Sequence, residues 1–129
     1  MIAVDTNVVI RLLTRDDEAQ FKKAHRLFSE KEIFLPDTVI LESEWVLRYA
    51  YEFTPATICE AFEKLCGLPS IHLANPHLVS LAIAWHKQGL DFADALHLAQ
   101  CQPYSNFMTF DTKLVRKAKG LGKCKVKSP

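Results

Sequence analysis

The chain has 129 residues, of which 49% are hydrophobic and 24% are charged, and its formal net charge is +1. This composition is typical of globular proteins and excludes disordered and collagen-like chains. No apolar stretch reaches the roughly 18 residues that a membrane span needs, and the acidic N-terminal segment does not resemble a signal peptide. We therefore expect a single domain over residues 1–129 that lies in the cytoplasm and has no membrane segment.

The four cysteines do not form a recognisable metal or redox motif. They stand at positions 59, 66, 101 and 124, so no pair has the C-x-x-C spacing of a zinc site or a thiol–disulfide motif. The five histidines also lack the close spacing of metal ligands. A domain of this size needs no disulfide bond to be stable, and we expect free thiols that are mostly buried.

Charge is distributed unevenly along the chain. Residues 1–111 contain nine basic and fifteen acidic residues, whereas residues 112–129 contain seven basic residues and no acidic one. Such a basic end either keeps the protein soluble or binds the phosphates of a nucleic acid. A basic end beside an acidic body is also typical of nucleic-acid enzymes that hold metal ions with carboxylates.

Hydrophobic periodicity and capping residues predict strands and helices that alternate along the chain. The first predicted elements are a strand at 2–4, a helix from Thr6 or Asn7 to Leu13, a helix at 19–31, a strand at 33–35 and a helix from Asp37 or Thr38 to about Tyr51. They are followed by a helix that begins at 54–55 and ends near Gly67, and by a short strand at 71–73.

The second half continues in the same way. Its predicted elements are a helix that begins at 75–76 and ends at Gly89, a helix capped by Asp91 that ends before Pro103, a strand at 107–110, a basic helix and a last strand near 124–126. This alternation predicts an α/β fold with three layers, α/β/α, around a short, mainly parallel sheet of four or five strands. Ligands of such sheets bind beyond the carboxyl ends of the strands, where Asp5 and Asp111 are expected.

Each of these two acids has two possible roles. Asp5 directly follows the first strand and Asp111 follows the strand at 107–110, so either carboxylate can serve as the N-cap of the next helix. At the same positions a carboxylate can also bind a ligand at the edge of the sheet. Position alone does not decide between the two roles.

The helix that follows Asp37 carries two glutamates with different expected surroundings. Glu44 lies four residues before Arg48 on a narrow polar strip, which favours an exposed ion pair. Glu42 is predicted to project among apolar residues, with no basic partner one turn away. A carboxylate on an apolar face is costly unless it is paired or holds a metal, so Glu42 is the functional candidate.

A similar choice arises in the helix that follows Gly89. Asp91 suits the N-cap position and needs no further explanation. Asp94 falls at the third helical position, where an acid suits the helix dipole, but it is surrounded by small residues that allow close packing of the helix. We expect the carboxylate of Asp94 to point into a pocket.

Carboxylates that converge at one end of a sheet repel each other unless a divalent cation lies among them. The four acids in question are Asp5, Glu42, Asp94 and Asp111. Oxygen ligands without histidine or cysteine favour Mg²⁺ or Mn²⁺ over Zn²⁺. Such ions activate water and neutralise the charge that develops when a phosphodiester is hydrolysed. The residues therefore predict metal-dependent phosphoryl chemistry.

Four segments of the chain resemble a known family of nucleases. They are IAVDTNV at 2–8, LESEWVLR at 41–48, DFADALH at 91–97 and MTFD at 108–111. In their order and spacing they resemble PIN-domain ribonucleases over essentially the whole chain and, more narrowly, the VapC toxins of bacterial type II toxin–antitoxin pairs. The lysine-rich C-terminal end is less typical of that family.

The resemblance implies a Mg²⁺- or Mn²⁺-dependent endoribonuclease that forms a homodimer and is inhibited by a cognate antitoxin protein. Such toxins generally cut structured RNA, for example tRNA or ribosomal RNA. The acidic residues of the family correspond to Asp5, Glu42, Asp94 and Asp111, and the polar positions beside them correspond to Thr6, Asn7 and Thr109. We expect the acids to bind the metal and the polar residues to support them.

Basic residues after Asp111 are expected to contact the phosphates of RNA. They are Lys113, Arg116 and Lys117, which share one helix face, and Lys123, Lys125 and Lys127, which alternate along a segment predicted to be extended. Phosphate contacts make binding strongly dependent on salt but contribute little sequence choice. The competing interpretation is that these residues only offset the acidic body.

Two other functions fit parts of the sequence. A phosphatase similar to the haloacid dehalogenases would use Asp5 as a covalent nucleophile, but such enzymes usually need a second aspartate two residues on, where this chain has Asn7. A catalytically silent module would keep the fold and only bind a partner. Cleavage of RNA with Mg²⁺, and its loss with a chelator, distinguishes a nuclease from both.

Overall fold

A computed structural model describes residues 1–129 and divides into two compact units, Met1–Pro76 and His77–Pro129. In chain order the elements are β1 (Ile2–Ala3), α1 (Thr6–Thr14), α2 (Glu18–Glu30), β2 (Ile33–Phe34), α3 (Asp37–Tyr49), α4 (Pro55–Cys66), β3 (Ile71–His72), α5 (Pro76–Lys87), α6 (Phe92–Gln100), β4 (Asn106–Met108), α7 (Thr112–Lys117) and β5 (Lys125–Lys127). The longest helices have 13 residues, and no helix combines the length and apolarity that crossing a membrane requires.

The first unit is built on a parallel three-stranded sheet in the order β1-β2-β3. Ile33 of the central strand pairs with Ile2 on one side and Ile71 on the other, and it is completely buried. The strands have only two residues each, so most of the apolar core comes from the helices. Phe62 and Leu47 are among the largest fully buried side chains of this unit.

Capping residues fix where the helices of the first unit begin. The carboxylate of Asp5 caps α1, that of Asp17 caps α2, and the hydroxyl of Thr54 caps α4. Pro55 follows Thr54 at the first helical position, where its missing N–H costs nothing. These local signals explain why the predicted starts of α2 and α4 agree closely with the structure.

The second unit contains a parallel pair of strands, β4 and β5, with Asn106, Phe107 and Met108 in register with Lys125, Val126 and Lys127. Asp91 caps α6 and Asp111 caps α7. Gly89 has a φ of 108°, a left-handed value that favours glycine, and it lies two residues after α5 ends. The helix was predicted to end at Gly89, and it ends two residues earlier, at Lys87. The glycine terminates it for the predicted reason.

The predicted α/β class with parallel strands is confirmed, and the five strands agree with the expected four or five. They form a three-stranded and a two-stranded sheet, however, and not the single sheet that was predicted. Each strand is only two or three residues long, so few ladder hydrogen bonds are available to extend a sheet. The single-domain prediction over residues 1–129 stays a prediction.

The N-cap of α1 is the alternative that was considered for Asp5, whereas the predicted N-cap of α3, Asp37 or Thr38, was wrong. Asp5, and not Thr6 or Asn7, caps α1, because its carboxylate accepts a hydrogen bond from the backbone of the second helical residue. Pro36 occupies the N-cap position of α3, so Asp37 is already the first helical residue. The extended backbone of Pro36 ends the preceding segment without any side-chain hydrogen bond to the helix.

The thiols agree with the sequence analysis. All four cysteines are free; Cys59 and Cys124 are buried, and Cys66 and Cys101 are half-buried. Burial raises the pKa of Cys66 to about 11, so its thiol is protonated and unreactive at neutral pH. The cysteines are thus part of the packing.

Candidate active site

Asp5 lies between β1 and α1 and is exposed to solvent. Its Oδ1 accepts a hydrogen bond of 3.1 Å from the backbone N–H of Asn7. This capping bond uses one carboxylate oxygen and leaves Oδ2 able to contact a cation. The two roles considered for Asp5, helix cap and metal ligand, are therefore compatible.

Glu42 lies on α3 and is held by a residue next to Asp5. The hydroxyl of Thr6 donates a hydrogen bond to Oε1 of Glu42, and Thr6 is itself buried. Because Thr6 directly follows Asp5, this bond brings the carboxylate of Glu42 to the carboxyl end of β1. Thr6 thus makes the kind of supporting contact that was expected of it.

The surroundings of the two glutamates on α3 are the reverse of those predicted. Glu42 is exposed and does not lie on an apolar face, and Trp45, which follows it by three residues on α3, is itself 56% exposed. Glu44 is only 1% exposed, and its carboxylate receives two hydrogen bonds from Arg48, at 2.8 and 3.2 Å. The predicted ion pair exists, but it is buried. These hydrogen bonds raise the pKa of Arg48, so its guanidinium group stays protonated.

Asp94 lies in the first turn of α6, one turn after the capping residue Asp91. Partial burial raises the pKa of Asp94 above its usual value, and the negative charges of Asp91 and Asp111 raise it further, whereas His97 lowers it. The effect of Asp111 shows that these two proposed ligands lie within electrostatic reach of each other. Negative charge thus accumulates around Asp94, and a bound cation would relieve the repulsion.

Asp111 follows β4 at the start of α7. Its Oδ1 accepts hydrogen bonds from the backbone N–H groups of Lys113 and Leu114, at 2.9 and 3.1 Å. Its own N–H donates to Oγ1 of Thr109 at 3.0 Å. As at Asp5, the capping bonds use one oxygen and leave Oδ2 for another partner. Thr109, like Thr6, orients the segment that carries a candidate ligand.

Within each unit the structure thus holds two of the predicted acids. Asp5 and Glu42 belong to Met1–Pro76, and Asp94 and Asp111 belong to His77–Pro129. No group of three or more histidine, cysteine, aspartate or glutamate side chains is arranged so that it could hold a metal ion. The four-carboxylate cluster therefore stays a prediction. Its donor set fits a hard divalent cation, because every candidate ligand is a carboxylate oxygen.

Five of the eight basic residues of the second unit line an open cleft of about 680 Å³ next to α7 and β5. The charged residues that line it are Arg116, Lys119, Lys123, Lys125 and Lys127. Lys117 was grouped with Lys113 and Arg116 as a phosphate contact, but its Nζ donates a 3.4 Å hydrogen bond to the carbonyl oxygen of Gly89. Lys125 and Lys127 are both exposed, with half-buried Val126 between them, as their alternation predicted.

Two features of this region were missed by the sequence analysis. Asp91 was interpreted only as a cap. Its charge nevertheless raises the pKa of Asp94 more than the charge of Asp111 does. Their spacing of three residues on one helix could have indicated this effect. Phe110, directly before Asp111, is 87% exposed. No sequence pattern reveals that exposure, because a phenylalanine next to a strand usually belongs to the core.

The chain was compared with models of known families. A model of the family described as PIN domain matches residues 2–120, which is nearly the whole chain and includes all four candidate acids. No match is found among curated proteins. The match gives no support to the phosphatase or to the silent module.

Proposed function

Because this chain belongs to the PIN domain family, we propose that it is a metal-dependent endoribonuclease and the toxin of a type II toxin–antitoxin pair. The family itself indicates a nuclease fold that is typically metal-dependent and that binds RNA. The seven helices and the parallel strands are consistent with the three-layer α/β/α fold class. Endonucleolytic cleavage, the toxin role, the antitoxin and the homodimer are our proposals.

One observation carries the enzymatic part of this proposal. The pKa of Asp94 is raised by its burial and by two neighbouring carboxylates, Asp91 and Asp111. Helix capping accounts for the positions of Asp91 and Asp111, but it does not account for Asp94, whose carboxylate accepts no capping hydrogen bond. Perturbed carboxylates of this kind are typical of functional sites, and in a PIN domain they point to metal binding.

In the proposed mechanism Asp5, Glu42, Asp94 and Asp111 would hold Mg²⁺ or Mn²⁺. When bound, the metal supplies an activated water molecule and neutralises the charge on the phosphate. Thr6 fixes the carboxylate of Glu42 by its hydrogen bond. The capping bonds of Asp5 and Asp111 fix these two side chains at the start of α1 and α7, so little reorganisation is needed.

The test is cleavage of RNA by purified protein from which any bound antitoxin has been removed under denaturing conditions. Total RNA incubated with Mg²⁺ or Mn²⁺ should yield discrete fragments, and excess chelator should abolish them. Asp94→Asn should lower the cleavage rate at least about 100-fold, since it removes a proposed ligand. Intact RNA with every metal would contradict the nuclease. Cleavage that persists in chelator would contradict the metal dependence.

The toxin part has separate tests. A short reading frame next to the gene should encode the antitoxin, and co-expression should restore growth that the toxin alone arrests. Light scattering should give twice the mass of one chain, which is 14.7 kDa. A gene without such a neighbour, or a monomer in solution, would remove the corresponding proposal and leave the nuclease untouched.

A further inference from the structure

The segment between α7 and β5 is held in place by one side chain. Residues 118–124 form turns and bends and belong to no helix or strand. Near the end of this segment the backbone N–H groups of Lys123 and Cys124 have no backbone acceptor. Both donate instead to Oε1 of Gln102, at 2.7 and 3.3 Å. A glutamine side chain thus takes the place of a strand partner.

Gln102 lies two residues after the end of α6 and is itself anchored to that helix. Its Nε2 donates a 3.0 Å hydrogen bond to the carbonyl oxygen of Leu98 in the last turn. The backbone of Gly122 passes so close that a Cβ at this position would lie 2.2 Å from Oε1 of Gln102. Residue 122 therefore has to lack a side chain for the amide group to reach the two N–H groups.

These contacts decide where Lys123 lies. The sequence predicts an extended segment on which Lys123, Lys125 and Lys127 alternate, but β5 begins only at Lys125. The ladder with β4 accordingly ends at the hydrogen bond from the N–H of Lys125 to the carbonyl oxygen of Ser105. Lys125 and Lys127 are positioned by this ladder, whereas Lys123 is positioned by Gln102.

The three lysines line the open cleft next to α7 and β5, together with Arg116 and Lys119. None of these five residues takes part in an ion pair of the structure. Unpaired cations around one cleft attract phosphates. If the segment that carries them is already fixed, less conformational entropy is lost when a ligand binds.

We propose that Gln102 is a positioning residue for RNA binding, which holds Lys123 beside the other cations of the cleft so that it contacts a phosphate of the substrate. The proposal rests on the proposed ribonuclease function. Gln102 itself touches no substrate and acts only through the backbone of Lys123. Because α6 also carries the candidate ligand Asp94, one helix fixes both this cation and part of the proposed metal site.

The experiment measures binding of a fluorescently labelled, unpaired 12-nucleotide RNA in the presence of a chelator, so that cleavage does not interfere. Gln102→Ala should lower the slope of log affinity against log salt by about 0.7, the contribution of one phosphate contact on a single strand. Lys123→Gln should have the same effect. The double variant should lose no more than either single variant, because both remove the same contact. Adding Lys125→Gln should lower the slope by about 0.7 more.

Hydrogen exchange tests the positions of the two amides without RNA. In Gln102→Ala the amides of Lys123 and Cys124 should exchange about fivefold faster or more, since each loses its acceptor. The matched control is Gln88→Ala, at an exposed glutamine of the same unit. It should change neither the exchange of these amides nor the salt slope.

Two glycines of the segment give a second test. Gly122→Ala would place a methyl group where the amide of Gln102 lies, so it should lower the salt slope as Gln102→Ala does. Gly120 has a φ of 82° and Gly122 one of 68°, but a Cβ at Gly120 would meet no atom within 4 Å. Gly120→Ala therefore introduces a similar backbone strain without displacing Gln102, and its slope should equal that of wild type.

Several results would overturn the proposal. They are a wild-type slope in Gln102→Ala, slope losses of Gln102→Ala and Lys123→Gln that add up in the double variant, and equal slopes in Gly122→Ala and Gly120→Ala. Unchanged exchange of the two amides in Gln102→Ala would show that its hydrogen bonds do not hold the segment. Variants that behave as expected in a protein that never cleaves RNA would support the role of Gln102 and contradict the ribonuclease.

Discussion

The two compact units of this protein use their charged residues differently. Met1–Pro76 contains twelve acidic and eight basic residues, whereas His77–Pro129 contains three acidic and eight basic ones. In the first unit many charges are paired within the unit, as in Arg48 with Glu44 and Arg26 with Glu30. In the second unit the seven basic residues after Asp111 take part in none of the ion pairs of the structure.

The difference indicates what the charges contribute. Paired charges inside a unit stabilise its structure, strongly where they are buried and weakly where they are exposed. A run of unpaired cations contributes little to folding and attracts a polyanion. We therefore expect that breaking paired charges of the first unit alters stability and that removing cations from the second unit alters RNA binding. The proposed metal ligands are the exceptions, namely Asp5 and Glu42 in the first unit and Asp94 and Asp111 in the second.

The largest expected effect separates the capping and metal-binding roles of Asp5 and Asp111. Asparagine caps helices as well as aspartate does but lacks the charge that a metal ligand needs. Asp5→Asn and Asp111→Asn should each keep the free energy of unfolding within about 0.5 kcal/mol of wild type while RNA cleavage falls at least about 100-fold. Chemical denaturation and a cleavage assay measure the two quantities.

Asp17→Asn is the matched control for these variants, because Asp17 caps α2 with a 3.0 Å bond to the backbone of Gln20 and is not a proposed ligand. It should cleave RNA as wild type does. Full activity of Asp5→Asn or Asp111→Asn would reduce that residue to a helix cap and remove it from the proposed metal site.

The next prediction concerns the buried ion pair of the first unit. Arg48→Ala should lower the free energy of unfolding by about 3 kcal/mol, because it leaves the carboxylate of Glu44 buried without the two hydrogen bonds from Arg48. Arg26→Ala breaks an exposed pair with Glu30 and should cost about 0.5 kcal/mol or less. Urea denaturation of both variants measures the difference. Equal losses of unfolding free energy in Arg48→Ala and Arg26→Ala would show that the burial of Glu44 does not determine how much its ion pair contributes to stability.

Glu44 also shows where the sequence stops being informative. Its distance of four residues from Arg48 correctly predicts the ion pair, because helix geometry places such residues side by side. Whether that side of the helix faces solvent depends on residues that are distant in the chain. The same limit explains why Glu42 was expected on an apolar face, although it is exposed and receives a hydrogen bond from Thr6, 36 positions earlier.

Local signals were more reliable. Helix starts at Thr54 and Asp91 follow from capping chemistry that needs only a few neighbouring residues. The candidate acids were likewise found from positions next to predicted strand and helix ends. Their convergence on one metal is a long-range property that no local pattern determines, and it stays a prediction. The exposure of Phe110 is of the same kind, since it depends on what the rest of the chain leaves uncovered.

A smaller effect is expected for the basic helix α7. Lys113→Gln with Arg116→Gln should lower the slope of log affinity for single-stranded RNA against log salt by about 1.4. Neither residue forms an ion pair, so the free energy of unfolding should not change. The control for loss of two charges is the pair Lys22→Gln with Lys31→Gln, at exposed residues of the first unit. An unchanged slope would leave these residues with a role in solubility only.

The smallest effect concerns a polar network in the first unit and its dependence on pH. The hydroxyl of Tyr51 donates a 2.6 Å hydrogen bond to Asp16, which also forms an ion pair with Arg11 at 3.0 Å. The bond from Tyr51, helped by Thr14 and Arg11 and opposed by desolvation, lowers the pKa of Asp16 below its usual 3.8. A carboxylate with a lowered pKa stabilises the folded state above its usual pKa, and that stabilisation is lost as the pH falls through the lowered value.

Tyr51→Phe removes this donor and should lower the melting temperature at pH 7 by a few degrees at most, because Asp16 is exposed. The part of the difference that comes from the charge of Asp16 should stay constant down to about pH 4 and shrink below it, as Asp16 becomes protonated in both proteins. Melting curves between pH 7 and pH 2 measure this. Tyr104→Phe, at a tyrosine that is 69% exposed, should have no effect at any pH. A difference between Tyr51→Phe and wild type that is the same at pH 2 and pH 7 would assign the contribution of Tyr51 to packing and not to the charge of Asp16.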